Sequence, residues 1–427
     1  MHFSLDVLPA RKGDCLMLHY GSDDDPHLIL IDGGPSDVYA PQLKPRLELV
    51  RGARGIDETE PLPLDVVMVS HIDDDHIRGI IELSEEQLHQ TADLKLKVKT
   101  LWHNSFDDLL GTKPGALTAG FGTASVLAGL DSPAVLQELD PEREVEQQTI
   151  ELLASIPQER TLRDNADKLK WKPNDKFKGD LILAKPAAKP VALAGGLKVA
   201  VIGPMQQELQ ALQAAHDKWL RAQKAGKKKT PEAALAAYVD QSVPNLSSIV
   251  VLAELQNKRI LLTGDARGDK IIEGMELVGL LKKGGKLHLE ILKVPHHGSD
   301  NNMETGFFKR VTADHYVFSG DGEHGNPERN TLQMLLDARG TDDDYTIHLT
   351  YPIDDIDVAR KADWTKEQSK EKNRHKKNPA KPVRENWSPA KHGLAAFFKA
   401  HPDFAAKVVT VEPQQPHLID LLDPVAL

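Results

Sequence analysis

Residues 65–79 read Asp-Val-Val-Met-Val-Ser-His-Ile-Asp-Asp-Asp-His-Ile-Arg-Gly. The run 66–69 is apolar and mostly β-branched, which is typical of a strand buried on both faces. Four potential metal ligands follow at once, and the apolar pattern then resumes at helical spacing. The stretch therefore predicts a strand-to-helix turn that carries metal ligands: His71, Asp73, Asp75 and His76.

The spacing of these ligands decides how they can be shared. Ligands two positions apart on an extended segment point to the same side. Asp75 and His76 fall where the chain turns, so they can face a second point in space. One segment could thus serve two metal ions. The alternative is a solvated acidic loop that happens to contain histidines, but this many ligand types directly after a buried strand favour a metal site.

The segment resembles the signature of the metallo-β-lactamase superfamily, His-x-His-x-Asp-His, with Asp73 in place of the second histidine. That variant resembles the nuclease-like domain of the DNA-uptake competence protein ComEC and its soluble relatives. The resemblance covers about 1–105 and 197–350. It implies an α/β fold of the metallo-β-lactamase type, an αββα sandwich of two mixed sheets with helices outside and metals at one edge.

The same resemblance suggests how the chain is divided. We expect a metallo-β-lactamase-like domain over 1–355, with an inserted helical and loop region at about 106–195. Within the insertion, the pattern of 142–171 indicates a helix with charged faces. A C-terminal extension, 356–427, carries a basic segment and two terminal strands that return to a sheet edge.

Two later motifs complete the ligand set that the resemblance implies. Asp265 follows a glycine at the end of the apolar strand 259–263, the form in which the superfamily supplies a carboxylate that bridges two metals. His296 and His297 follow the strand 289–294 and match the last ligand motif. Both are candidate ligands; we expect one to bind metal and the other to contact substrate, and the sequence does not decide which.

Further residues are candidates around that set. Asp32 ends an apolar run and either supports the metal-binding loop by hydrogen bonds or is simply a turn residue. His103 ends a strand on the ligand side and is either a substrate contact, an extra ligand or a satisfied surface histidine. His324 lies in a cluster similar to the Gly/His/Pro cluster of ComEC-like sequences and is a candidate to contact phosphate or to protonate a leaving group. Asp75 and His324 are thus the two candidate catalytic residues. Ser299 and Asn245 are candidate substrate contacts.

The composition limits which partners, nucleic acid or membrane, the chain is expected to bind. The net charge of −11 argues against a surface built for broad contact with nucleic acid, but a local basic patch could offset it. The segment 361–384 holds nine Lys or Arg against three acidic residues. We favour a disordered surface excursion there over a flexible nucleic-acid contact. A single cysteine, and the lack of a signal-peptide pattern or a membrane-length apolar run, favour a cytoplasmic protein without a membrane partner.

The ligand set supports hydrolysis. Two divalent ions bridged by Asp265 would hold a hydroxide between them and stabilise both oxygens of an in-line displacement. A carboxylate at position 73 makes the site harder than usual, which shifts the preference from zinc towards manganese without excluding zinc. We therefore expect a metal-dependent phosphodiesterase or nuclease with DNA or RNA as substrate. The alternatives are a hydrolase of a small phosphoester, lactone or thioester, and a noncatalytic binding module on the same fold.

Overall fold

A computed structural model describes residues 1–89, 93–105, 158–209, 247–412 and 415–427. Within these ranges, two sheets pack face to face with helices on both outer faces, which confirms the predicted α/β sandwich. The strands are β1 His2–Val7, β2 Leu16–Gly21, β3 Pro26–Ile31, β4 Leu62–Met68, β5 Leu96–Trp102, β6 Lys172–Pro173, β7 Val191–Ala192, β8 Lys198–Gly203, β9 Val250–Leu255, β10 Lys258–Leu262, β11 Leu287–Lys293, β12 Val311–Phe318, β13 Thr346–Leu349, β14 Val408–Thr410 and β15 Leu418–Asp420.

The first sheet has the described strands in the order β15-β1-β2-β3-β4-β5-β6, and the second has β14-β13-β12-β11-β10-β9-β8-β7. β3 to β6 run parallel to one another in the first sheet, and so do β10 to β14 in the second. Because parallel strands end at the same edge, side chains that follow β3, β4 and β5 gather together, as do those that follow β10, β11 and β12.

The helices cover the outer faces. They are α1 Lys44–Ala53, α2 Asp74–Leu88, α3 over 158–169, α4 Gly268–Leu277, α5 Thr305–Arg310, α6 Arg329–Arg339, α7 Ile353–Lys377, α8 Pro389–His392, α9 Leu394–Ala400 and α10 Pro402–Ala405. None of the helices in these described ranges combines the length and the apolar character that a bilayer crossing demands.

Alternation along the strands builds the core. In β3, Ile29 and Ile31 face the other sheet, whereas Leu28 and Leu30 face the layer of α1 and α2. Burial on both faces explains why the central strands are continuous apolar runs in the sequence. The core between the sheets is closed at one edge by polar residues, and this edge is where the candidate metal ligands lie.

The described part of the predicted insertion packs on the sandwich. α3 places Leu162 and Ala166 in the outer core of the first sheet. The short strands β6 and β7 then extend one sheet each. Residues 106–157, and with them most of the predicted helix 142–171, lie outside the described residues, as does Asn245. The division at about 355 stays a prediction, although β14 and β15 each pair with a strand of the main domain.

The basic segment 361–384 is ordered through most of its length, so the prediction of a disordered excursion was wrong. Residues 361–377 belong to α7. Ile356 is fully buried, and the Arg360 guanidinium donates to the carbonyl oxygen of Pro327 at 2.6 Å. Ion pairs between Lys370 and Glu367, and between Arg384 and Glu371, hold the helix and the returning chain. The excess of basic residues suggested disorder, because the sequence does not show which of these charges are paired in the fold.

Candidate metal centre

The central turn is built where β4 ends and α2 begins. Asp73 is extended (φ −66°, ψ 146°) and stands at the N-cap position. Asp74 and Asp75 occupy the first turn, where the helix dipole favours negative charge. The imidazoles of His71 and His76 are buried. The turn therefore directs two histidines inward and leaves carboxylates beside them.

Asp32 fixes this turn from the end of β3. It has a left-handed backbone (φ 56°), which places its carboxylate under the turn. Oδ1 accepts from the Ser70 amide at 2.7 Å, and Oδ2 accepts from the Ser70 hydroxyl at 2.7 Å and from His76 Nδ1 at 2.8 Å. A carboxylate can only accept hydrogen bonds, so Nδ1 of His76 carries a hydrogen. Its Nε2 is left to face the cluster.

Asp265, which follows β10, lies at the centre of the histidines. Its Oδ1 is 3.2 Å from His76 Nε2 and 3.3 Å from His297 Nε2. Its Oδ2 is 3.7 Å from His71 Nε2 and 3.6 Å from His296 Nε2. The two oxygens of one carboxylate thus face two different pairs of imidazoles.

Two further carboxylates divide between those pairs. Asp73 Oδ2 lies 3.4 Å from His71 Nε2, and Asp75 Oδ2 lies 3.6 Å from His297 Nε2. One side therefore collects His71, Asp73 and His296, and the other collects Asp75, His76 and His297. The separation is incomplete, because ligand atoms of His71, Asp75 and His76 also lie within 4.8 Å of one another.

The donor set fits divalent cations. His76 Nε2 and His297 Nε2 lie only 3.3 Å apart and face each other. Burial alone would lower the pKa of each ring, but the Asp265 carboxylate raises the pKa of both well above the usual value. Burial likewise opposes ionisation of Asp265, yet His297 and His76 hold its pKa well below the usual range. The cluster thus stabilises positive charge between these side chains, and imidazole nitrogens with carboxylate oxygens suit zinc or manganese.

Sequence reasoning missed three residues next to this cluster. Asp14 has a ligand atom within 4.8 Å of those of His76, Asp265 and His297. Lys293 Nζ is 2.7 Å from Asp14 Oδ2, and Ser319 Oγ is 3.0 Å from His297 Nδ1. The only available signal was the Gly13-Asp14 pair, which repeats the Gly-Asp form of 264–265.

The remaining sequence candidates lie around the cluster. His103 is buried after β5, and burial lowers its pKa to about 4, so its ring is neutral. Nε2 of His324 lies 3.3 Å from Nζ of Lys12, in an exposed contact. Lys12 precedes Asp14 by two positions in the sequence. Ser299 donates to Glu328 at 3.2 Å. The structure therefore brings together the candidate ligands and Asp32, and it places His324 and Ser299 in other contacts.

The fold and the cluster together define a two-sheet α/β sandwich with a buried His and Asp centre suited to metal. No family model matches the chain. The chain is 9% identical to a candidate metal-dependent hydrolase of Parabacteroides distasonis, covering 80% of this chain and 97% of that one, with a TM-score of 0.29. A likeness at this score carries no argument.

Two curated proteins match a short part of the sequence. Microtubule-associated protein futsch of Drosophila melanogaster is 37% identical over 78 residues, and human microtubule-associated protein 1A is 31% identical over 78 residues. Each match covers 18% of this chain and spans only 1% and 3% of those proteins, respectively. The chain thus spans only a small part of the length of these two proteins.

Proposed function

We propose that the chain is a divalent-metal-dependent phosphodiesterase that cleaves DNA or RNA. The observation that carries the proposal is the position of Asp265, whose two oxygens face separate groups of imidazoles and carboxylates. A carboxylate so placed is suited to bridging two cations. The resemblance of 71–76 to the ComEC nuclease-like signature supports the same interpretation.

The residues that would hold the metals are His71, Asp73, Asp75, His76, Asp265, His296 and His297. Two divalent ions, zinc or manganese, would supply Lewis-acid stabilisation of a phosphoryl group and activation of water. The chain's own part is to hold these donors in place. Asp32 orients His76, and the first turn of α2 presents Asp73 and Asp75.

The charge of the site favours a phosphodiester over a neutral substrate. Three carboxylates in the ligand set make the site anionic until cations are bound, so an anionic substrate is accepted only by the loaded form. Asp73, where the superfamily signature has histidine, adds to that requirement. Lys12 Nζ lies 3.3 Å from His324 Nε2, and we assign to this pair the contact with a phosphate oxygen or the donation of a proton to a leaving group.

A nucleic-acid substrate needs a cationic path to an acidic protein. α7 is anchored beside the site, since Arg360 binds the carbonyl oxygen of Pro327 in the same loop as His324. The C-terminal turn of α7 carries Arg374, His375, Lys376 and Lys377. This basic end is the surface we assign to the phosphates of a longer strand.

The test is an assay of the purified chain with manganese or zinc on single-stranded DNA, duplex DNA, RNA and a small chromogenic phosphodiester. Asp265→Asn is the matched inactive variant, and Asp269→Asn, on the first turn of α4, is the control. The proposal expects metal-dependent cleavage of at least one nucleic acid, lost in Asp265→Asn and kept in the control. Hydrolysis of a lactone or thioester without any phosphodiester would contradict it.

A further inference from the structure

A buried lysine lies next to the candidate metal centre. Lys293 is the last residue of β11 and only 1% exposed. Its Nζ lies 2.7 Å from Asp14 Oδ2 and donates to the carbonyl oxygen of Val294 at 3.0 Å. A buried charge is costly unless it is paired and hydrogen-bonded. Because the neighbouring centre is suited to metal cations, a buried lysine ammonium next to it points to a specific role.

The hydrogen bonds beside Lys293 have a defined direction. The Lys293 ammonium pairs with Asp14 Oδ2 at 2.7 Å, so Asp14 is present as a carboxylate. The ionised carboxylate can only accept, so the Ser319 hydroxyl donates to Asp14 Oδ1. That donation uses the one hydroxyl hydrogen. In the 3.0 Å contact between Ser319 Oγ and His297 Nδ1, the histidine must therefore be the donor.

This direction decides what the other side of the His297 ring can do. With a hydrogen held on Nδ1, Nε2 is the nitrogen left to bind a metal, and it lies 3.3 Å from both Asp265 Oδ1 and His76 Nε2. The arrangement matches that of His76, whose Nδ1 is bound to Asp32. A carboxylate behind a ligating histidine is a recurring device that fixes the tautomer and strengthens the ligand. For His297 the carboxylate is Asp14, which reaches Nδ1 through Ser319 at 3.0 Å and, at a longer 3.4 Å, directly through its Oδ1.

The histidine pair that follows Lys293 has an unfavourable backbone conformation. His296 (φ 49°, ψ 47°) and His297 (φ 54°, ψ 16°) are successive left-handed residues with side chains. Such a conformation persists only where its surroundings determine it. The His296 amide donates to the Gly264 carbonyl oxygen at 3.1 Å, and Lys293 holds the Val294 carbonyl oxygen before the turn. Lys293 thus fastens both the Asp14 loop and the entry to the histidine pair.

We propose that Lys293, Asp14 and Ser319 form a positioning relay that fixes the tautomer and orientation of His297, and so sets the metal affinity on the His297 side of the centre. Asp14 supports a ligand and is not itself a ligand, because Lys293 neutralises one of its oxygens and Ser319 occupies the other. The inference rests on the proposed metal-dependent function.

The test measures Mn²⁺ binding to the full chain by calorimetry and electron paramagnetic resonance. Ser319→Ala removes the 3.0 Å hydrogen bond to His297 and leaves the Lys293–Asp14 pair and the longer 3.4 Å contact between Asp14 Oδ1 and His297 Nδ1. We expect the ion on the His297 side to bind about 10–100-fold more weakly, with the other ion unchanged. Ser84→Ala is the matched control. It removes an equally buried hydroxyl, bound to the Ile81 carbonyl oxygen at 2.7 Å, and should leave both ions unaffected.

Two charge variants complete the test. Asp14→Asn should give the same loss as Ser319→Ala. Each single change leaves a buried unpaired charge, the Lys293 ammonium in Asp14→Asn and the Asp14 carboxylate in Lys293→Met. The two changes are therefore combined to give a neutral pair of similar shape. This double variant should fold and should show no greater loss than Asp14→Asn.

Three outcomes would overturn the relay. Loss of an ion in Asp14→Asn with wild-type binding in Ser319→Ala would show that Asp14 acts without the serine, as a ligand or through its direct contact with His297. Unchanged binding in both variants would leave the three residues with no role at the metals. A wild-type chain that binds no divalent ion would remove the proposed function and the relay together, which distinguishes the two failures.

Discussion

Gly79→Ala tests the packing that fixes the ligand turn. Gly79 lies in α2, and a Cβ built on it would be 2.0 Å from the Gly33 carbonyl oxygen, whereas ordinary contact begins at 3.4 Å. The chain segments that carry Asp32 and His76 would have to separate by about 1.4 Å. The Gly33 amide also donates to the His76 carbonyl oxygen at 2.8 Å, so the displacement acts directly on a ligand.

The expected loss has two parts. Overpacking of this kind costs about 1–3 kcal/mol, against about 1 kcal/mol gained from alanine in a helix, so the variant should be destabilised by up to about 2 kcal/mol. A ligand displaced by about 1 Å should also lower activity by about 100-fold. Urea unfolding of the metal-free protein measures the first, and metal-dependent phosphodiester hydrolysis measures the second.

Gly52→Ala is the matched control. Gly52 lies in α1, and no atom lies within 4 Å of the position that the added methyl group would take. The same substitution should therefore stabilise the protein by about 0.5–1 kcal/mol. Opposite signs for the two variants are the expected result. Equal stability and equal activity in both would refute the close contact between the Asp32 segment and α2.

Four further outcomes are expected. Asp265→Asn should abolish hydrolysis without unfolding the protein, measured by activity and circular dichroism, because an amide cannot offer anionic oxygen to both sides; retained turnover would exclude bridging. Asp73→His should shift metal preference towards zinc, measured by competitive binding of zinc and manganese, since imidazole is the softer ligand. Burial lowers the pKa of His348 from 6.5 to about 3, so the contribution of this neutral ring to stability is complete above about pH 6.5 and is lost at about 1.4 kcal/mol per pH unit between about pH 6.5 and 3. His348→Gln should show a shallower fall over this range in urea unfolding. Near the C-terminal end of α7, four basic residues are neutralised together: Lys372, Arg374, Lys376 and Lys377. This change should raise the KM for a long nucleic acid and flatten the salt dependence of its binding by about 0.7 per lost contact, while cleavage of a small phosphodiester stays unchanged. Equal losses of activity on both substrates would mean that the segment supports the fold.

The sequence could predict the sandwich and the turn with the candidate ligands because the signals for both lie close together along the chain. The apolar run 66–69, the clustered ligands after it and the helical spacing beyond them fall within the eighteen residues 66–83. Asp265 and the histidine pair follow strands of the same type. In each case a short apolar strand ends in the residue that carries the chemistry, so the pattern needs no knowledge of distant contacts.

Asp14, Lys293 and Ser319 could not be found in this way. Each looks ordinary in its own stretch: a turn residue, a strand lysine and a strand-end serine. Only the packing of the two sheets brings them together, with Ser319 and Asp14 separated by 305 positions. α7 was missed for a related reason, because its anchor, Arg360, binds carbonyl oxygens of a loop more than thirty residues earlier.

The most direct test of the metal centre is anomalous diffraction from crystals of the full chain grown with Mn²⁺. We expect two peaks, one on each side of the Asp265 carboxylate. One should lie among His71, Asp73 and His296, and the other among Asp75, His76 and His297. A single peak, or none at these side chains at saturating Mn²⁺, would contradict the two-metal centre on which the proposed function rests.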